Sequence, residues 1–239
     1  MFVKAIKIAK EAMFPIFRFE QVSPSQAKVS VVGTGFFINS KGYFVSVTHL
    51  FETKNENTRF LYIGKLPDKV QKPRLEIKEA FKDDEHDIFV GKLEVNSPKY
   101  FYLAKFIPEI GKSICISGYP LSVIKPNNGG LELGGVRRYF QPSFVLDKIK
   151  VKSKSGTGTI REHDGFLVRD VGLFGMSGGP VFDVRGVVVG VQASVTEPRE
   201  STNAAGRTIS VENAVAIRSD LILELLNKHR IKANFWGKF

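Results

Sequence analysis

At 239 residues, 43% of them hydrophobic, the chain can bury a sizeable core in one large domain or two small lobes. Its single cysteine, Cys115, rules out an internal disulfide and the stapled secreted folds, and no apolar run approaches the ~20 residues of a membrane-crossing helix. Lys and Arg total 35 against 24 Asp and Glu, a formal charge of +11, but the bases are scattered and no nucleic-acid module accompanies them; a solvated basic surface is expected, and specific nucleic-acid binding is not.

The opening stretch MFVKAIKIAKEAMFPIF puts Phe2, Ile6, Ala9 and Met13 on one helical face with Lys4, Lys7 and Lys10 opposite. Those lysines break the apolar run that a signal peptide requires. Packing of this helix on the body of the protein is favoured over peripheral membrane contact, and a cytoplasmic location is expected. Short runs rich in Val, Ile, Phe and Thr follow, among them KVSVVGTGFFI, GYFVSVTHLF, DIFVGKLEV, SICISGYP and GTIREHDGFLVRD, divided by Gly, Pro, Asn and Asp turns.

NSKG at 39–42 and DVRG at 183–186 read as hairpin turns, and the polar stretches 126–135 and 196–207 as loops. Cys115, between Ile114 and Ile116, reads as a buried structural thiol. Ser219 and Asp220 stand where they can cap LILELLNKH, whose Leu221, Ile222 and Leu225 form an apolar face, and the tail 227–239 mixes bases with Phe235, Trp236 and Phe239. The organisation expected is a helix and linker over 1–24, a mainly β domain over 25–218 with halves of about 25–110 and 111–218, and a helix with a basic-aromatic tail over 219–239. The strand rhythm suits two packed barrels or a large sandwich.

One residue concentrates the chemical interest. In FGMSGGPVFD, at 174–183, three glycines and a proline surround Ser177. A serine hydroxyl is a poor nucleophile unless a base stands next to it and a third group orients the base. Of the four histidines, His49 ends the β-run GYFVSVTH, and His229 lies among Lys228 and Arg230 on a helix face expected to be solvated. His86 and His163 each precede an aspartate, but strand neighbours point to opposite faces, so neither pair is a dyad by itself. Asp87 stands just ahead of the apolar run IFVGKL, an acid at the edge of the core.

Three segments resemble the chymotrypsin-like (trypsin-like) serine peptidases, especially the disulfide-free bacterial branch that includes the HtrA proteases. They are GTGFFINSKGYFVSVTHL, HDIFVGKL and GMSGGPVFDVRGVVVGVQAS, in the family's order of His, Asp and Ser. The resemblance implies two packed antiparallel six-stranded β-barrels with N- and C-terminal helices. It implies a serine endopeptidase acting on a polypeptide substrate without a cofactor or metal, with Ser177 as nucleophile, His49 as base and Asp87 orienting the imidazole. The amides of Gly175 and Ser177 would form the oxyanion hole, which a glycine-rich turn can aim into one concavity.

The same resemblance puts Val171 and Gly172 on the wall of the main specificity pocket, faced by Gln192, and gives Ala193, Ser194 and Val195 to the substrate backbone as a strand edge. With no acid at the pocket floor, an uncharged side chain before the scissile bond is expected. Two departures stand out. Met176 occupies the place of the acid that receives a newly cleaved N-terminus, and Ala193 a place where relatives carry a hydroxyl supporting the buried acid; Asp87 is therefore expected to lean on backbone amides near Thr48 and His49. Two other functions use the same residues: a latent protease fold that binds peptides or regulates, and an esterase or acyltransferase with the same nucleophile.

Overall fold

A computed structural model describes all residues except 24–25, 53–59, 67–73, 123–124, 128–129, 133–134, 155–157, 159, 198, 203, 205–207 and 238–239. Helix α1 spans Val3–Ala12 and is followed directly by β1, Met13–Ser23. Strands β2 (Gln26–Phe37), β3 (Tyr43–Ser46), β4 (Phe60–Lys65), β5 (Arg74–Glu76), β6 (Lys78–Asp83) and β7 (Ile88–Lys92) complete the first sheet. The rest of the chain supplies β8 (Tyr102–Ala104), β9 (Ser113–Gly118), β10 (Lys125–Asn127), β11 (Gly130–Glu132), β12 (Tyr139–Lys154), β13 (Ile160–Val168), β14 (Pro180–Asp183), β15 (Val187–Val195), β16 (Arg199–Thr202), β17 (Thr208–Val211), β18 (Ala214–Arg218), helix α2 (Ser219–Lys228) and β19 (Phe235–Trp236).

Both sheets close on themselves. In the first, the order β4-β1-β2-β3-β7 is joined at its ends by the segment 74–83: its start, β5, pairs with β4, its continuation, β6, pairs with β7, and at the bend Ile77 N donates to Tyr62 O at 2.9 Å. Counting β5 and β6 as one bent strand gives six. In the second, β9-β12-β13-β18-β15-β14 returns to β9, again a ring of six, with β8 and β19 added in parallel along β15. The mainly β architecture with terminal helices is thus the one expected, with two further hairpins, β10–β11 and β16–β17, that overlap the stretches read as loops, β17 following directly after the second.

Two boundaries differ from the sequence reading. Residues 13–23, assigned to the linker, are a strand paired on both sides, with β2 and β4. Pro15 explains the switch: it has no N–H to continue the helical ladder and disfavours helical geometry in the residue before it, so the helix stops and the chain extends. Ser219 does not cap α2; its hydroxyl donates to Ala104 O at 2.8 Å, while Asp220 pairs with Arg218 at Oδ1, 3.0 Å from Nε.

The first interior is aromatic. Phe14 lies 5.0 Å from Phe37 and 5.1 Å from Phe44, centroid to centroid, and Phe36 meets Phe101 edge-on at 5.7 Å. The second is mostly aliphatic, built from Ile114, Ile116, Val145, Val168, Val181 and Val189 around Phe166 and Met176. Phe101 stacks on Phe182 at 5.8 Å and joins the two bodies, and Phe2 of α1 packs on the other side of Phe182 at 6.2 Å. With Ala5, Ala9 and Ala12 at 0% exposure, α1 is seated on this junction, its lysines outward. Cys115 is buried there too, and burial pushes its thiol up to about 12, so it stays protonated and inert.

Candidate active site

His49 sits on a single 3-10 turn, Thr48–Leu50, directly after β3. Asp87 closes the turn that leads into β7, and its backbone is left-handed at φ 56°, a conformation aspartate tolerates better than most residues. The two elements are tied by Thr48 N, which donates to Asp87 O at 3.3 Å. His49 Nδ1 then lies 2.8 Å from Asp87 Oδ2, while Oδ1 accepts from Thr48 Oγ1 at 2.7 Å and from His49 N at 3.0 Å. A carboxylate only accepts, so Nδ1 carries a proton, and in the neutral imidazole this leaves Nε2 as the lone-pair acceptor.

Asp87 is 4% exposed. Burial alone would raise its carboxyl, but the hydrogen bond and charge of His49, then the charge of Arg161 and the Thr48 hydroxyl, outweigh it and hold the group below the usual range. Of the supports expected, the His49 amide is present, the Thr48 contribution comes from its hydroxyl, and Arg161 is new. Neither of the other His–Asp neighbours forms a dyad, His163 and Asp164 because they alternate on β13, His86 and Asp87 although they lie in a turn and not on a strand. His86 turns to Asp83, 3.1 Å away, and His163 is buried, its Nδ1 3.4 Å from Asp164 O. His229 is exposed but not simply solvated, since its ring stacks on Phe81 at 3.9 Å.

Ser177 is held by main chain. Gly175 and Gly178 adopt φ of 96° and 80°, left-handed values that glycine alone takes without strain. A Cβ on Gly178 would overlap Ser46 Oγ and Thr34 O, so the loop is pressed against the first barrel. Thr34, in the GTG of β2, is the contact: Thr34 N donates to Ser177 O at 2.9 Å and Thr34 Oγ1 to Gly175 O at 2.8 Å, while Tyr119 N donates to Thr34 Oγ1 at 3.2 Å. With those carbonyls turned inward, the amides of Gly175 and Ser177 donate to no acceptor among the described residues.

The hydroxyl itself donates to Ala193 O at 3.5 Å, and among the described residues no hydrogen bond joins it to His49. Ala193 is available because β15 bulges between Gln192 and Ser194 in its pairing with β18. Beyond the bulge, Ser194 and Val195 are exposed. Gln192 lies against Gly172, where a Cβ would overlap its amide; Nε2 donates to Ser194 O at 2.8 Å, and Oε1 is buried without a partner among the described residues. Val195 Cγ1 lies 3.4 Å from the same point, so Gly172, Gln192 and Val195 meet; Val171, next to Gly172 in the chain, is half-buried.

Arg161 and Glu52 escaped the sequence reading. The signal available was the alternation in IREHDGF, which puts Arg161 and His163 on the inward face of β13.

A family model for the trypsin-like peptidase domain matches residues 33–191. A protein of Bartonella henselae named "Probable periplasmic serine endoprotease DegP-like" is 26% identical over 211 residues, 86% of this chain and 35% of its own length. An uncharacterized protein of Sinorhizobium fredii is 25% identical over 175 residues, 72% of this chain and 23% of its own length. The chain therefore spans no more than about a third of these curated relatives, and the periplasmic name of one lends no support to a cytoplasmic location here. Among solved structures, the HtrA-type protease AlgW with a decapeptide shares the fold at a TM-score of 0.69 and 16% identity, covering 96% of this chain and 67% of that one. The active form of the Rv3671c protease from M. tuberculosis does so at 0.65 and 18%, covering 98% and 86%. With the matched span running from the GTG strand through the serine loop to β15, the chain belongs to the trypsin-like peptidase domain family.

Proposed function

We propose that the chain is a serine endopeptidase in which Ser177 attacks the scissile carbonyl, His49 Nε2 takes its proton and later returns it to the leaving amine, and Asp87 fixes the imidazole and stabilises its charged form. The observation that carries this reading is the 2.8 Å bond from His49 Nδ1 to Asp87 Oδ2, which leaves Nε2 as the acceptor. The unengaged amides of Gly175 and Ser177 meet the charge that develops on the carbonyl oxygen; one such donor typically contributes ~3 kcal/mol to the transition state.

The resting hydroxyl on Ala193 O gives the binding step a second task. An extended substrate that adds as a strand along Ala193–Val195 brings backbone N–H groups to that edge, and one of them claims the Ala193 carbonyl. Rotation about the Ser177 side chain then turns the hydroxyl towards Nε2, so docking and activation coincide. Gln192 and Gly172 leave no charge at the pocket wall, which favours an uncharged residue before the scissile bond.

The test is cleavage of unfolded casein and labelling by a fluorophosphonate, each beside Ser177→Ala. Wild-type cleavage and a label on Ser177, both lost in the variant, are expected; equal behaviour of the two proteins removes the enzyme. Absence of label with tight, salt-insensitive peptide binding assigns the chain to a latent peptide-binding fold instead.

A further inference from the structure

We propose that Arg161 is a positioning residue of the catalytic site, holding Asp87 in place from the opposite barrel; the proposal rests on the peptidase reading above. Arg161 belongs to β13 of the second barrel, yet its guanidinium is buried against the first, with 6% of the residue exposed. Nη2 lies 3.4 Å from Asp87 Oδ1, donates to Thr48 Oγ1 at 3.4 Å, and pairs closely with the Glu52 carboxylate; Nε donates to Asp84 O at 3.3 Å. Those partners belong to the three short segments that define the site: the turn bearing His49, the residues just after it, and the turn ending at Asp87. A planar guanidinium with donors in fixed directions can span all three, which a lysine ammonium cannot do with the same geometry.

There is a chemical need for it. Asp87 and Glu52 are two carboxylates in one desolvated corner, and without a permanent cation between them their mutual repulsion would push Asp87 out of place. An Asp87 carboxylate moved off this position no longer orients the Nδ1–H of His49. Ala193 offers only a methyl group, so no hydroxyl from β15 shares the task. The other titratable groups around this corner do not supply the charge. His163, also on β13, is held towards its neutral form by burial; Asp83 and His86, in the turn before Asp87, pair with each other. A guanidinium is a permanent cation in proteins.

A clamp that merely joined the barrels would change stability and leave the pH dependence alone. A cation beside Asp87 also opposes the second positive charge that forms on the imidazole during catalysis, so its removal moves the acid limb of kcat/KM to higher pH. The experiment uses the full chain as wild type, Arg161→Gln, Arg161→Lys, Glu52→Gln and the neutral pair Arg161→Gln/Glu52→Gln. Peptide cleavage and the rate of fluorophosphonate labelling at Ser177 are followed against pH, with thermal melting to confirm folding.

Arg161→Gln should lower kcat about 30-fold with little change in KM, a loss in the range that misplacement of a catalytic group produces, and raise the acid limb by about one pH unit. Glu52→Gln should move the limb the other way, and Arg161→Lys should restore the limb more fully than kcat. The neutral pair removes the uncompensated carboxylate, so it folds where the single variant fails; its limb should lie near that of wild type and its kcat stay low. A folded neutral pair with wild-type kcat, or an Arg161→Gln protein whose limb does not move, overturns the proposal while leaving the peptidase reading intact. Wild type that never labels at Ser177 overturns both.

Discussion

In the first barrel the His49 imidazole and the Asp87 carboxylate are held by side chains: the Thr48 hydroxyl, each other, and Arg161 reaching over from the second barrel, on a 3-10 turn and a left-handed aspartate. In the second barrel the serine is held by main chain, through glycines with positive φ and carbonyls bonded to Thr34. The difference follows from what each half must present. A base and its orienting acid need polar atoms delivered at defined points, which side chains on short turns provide. The oxyanion site proposed for Gly175 and Ser177 needs two backbone amides facing the same way, and a backbone bent that sharply favours residues without a Cβ. The two interiors show the same division, with interlocked phenylalanines beneath the side-chain network and small aliphatic groups beneath the tight turns.

This contrast can be broken from either side, and the glycine half should be the more fragile. Gly178→Ala places a methyl group against Ser46 Oγ and Thr34 O at a φ of 80°. It should destabilise the chain by about 2–4 kcal/mol and abolish labelling of Ser177, read by denaturant titration and by fluorophosphonate uptake. Thr34→Val keeps the shape but strips the bonds to Gly175 O and from Tyr119 N. Stability should fall by about 1–2 kcal/mol, since two bonds are lost and the long 3.4 Å bond from Tyr119 N to Gly175 O stays behind, and kcat should fall further than KM rises as the 175–177 turn loosens.

The side-chain half gives a subtler effect with pH. Asp87 is depressed in the folded chain relative to about 3.9 when unfolded, so its contribution to stability is full above that value and is lost as pH falls through the lower, folded one. Asp87→Asn should therefore flatten the acid side of the stability curve below about pH 4, measured by melting temperature against pH, and a wild-type-like slope in the variant would show that Asp87 contributes little to acid unfolding.

Much of this arrangement could be read before any coordinates. The strand rhythm, the hairpin turns closed by Gly42 and Gly186, and the placing of Asp87 ahead of IFVGKL all depend on local chemistry, which the sequence carries. The strand after Pro15 was masked by the lysine-spaced helix that precedes it, where one amphipathic pattern runs straight into another. Arg161 was illegible for a different reason. Within β13 it is one charge among several, and the residues that make it special, Glu52, Thr48 and Asp87, lie across the cleft and far away in the chain. The serine's bond to Ala193 is illegible for the same reason, because it depends on a bulge that only the pairing of β15 with β18 produces.

The strand β8 lies in the segment that joins the two barrels, and it is gripped from several directions. Phe101 N donates to Phe37 O at 2.9 Å on one side of it, Ser219 Oγ to Ala104 O at 2.8 Å on the other, and β15 and β19 flank it as parallel neighbours. A connection so thoroughly stitched cannot serve as a hinge. Under the proposed reading, the spacing of the two barrels is then set when the chain folds, and accommodation to a peptide falls to rim loops and to side-chain rotations such as the one proposed for Ser177.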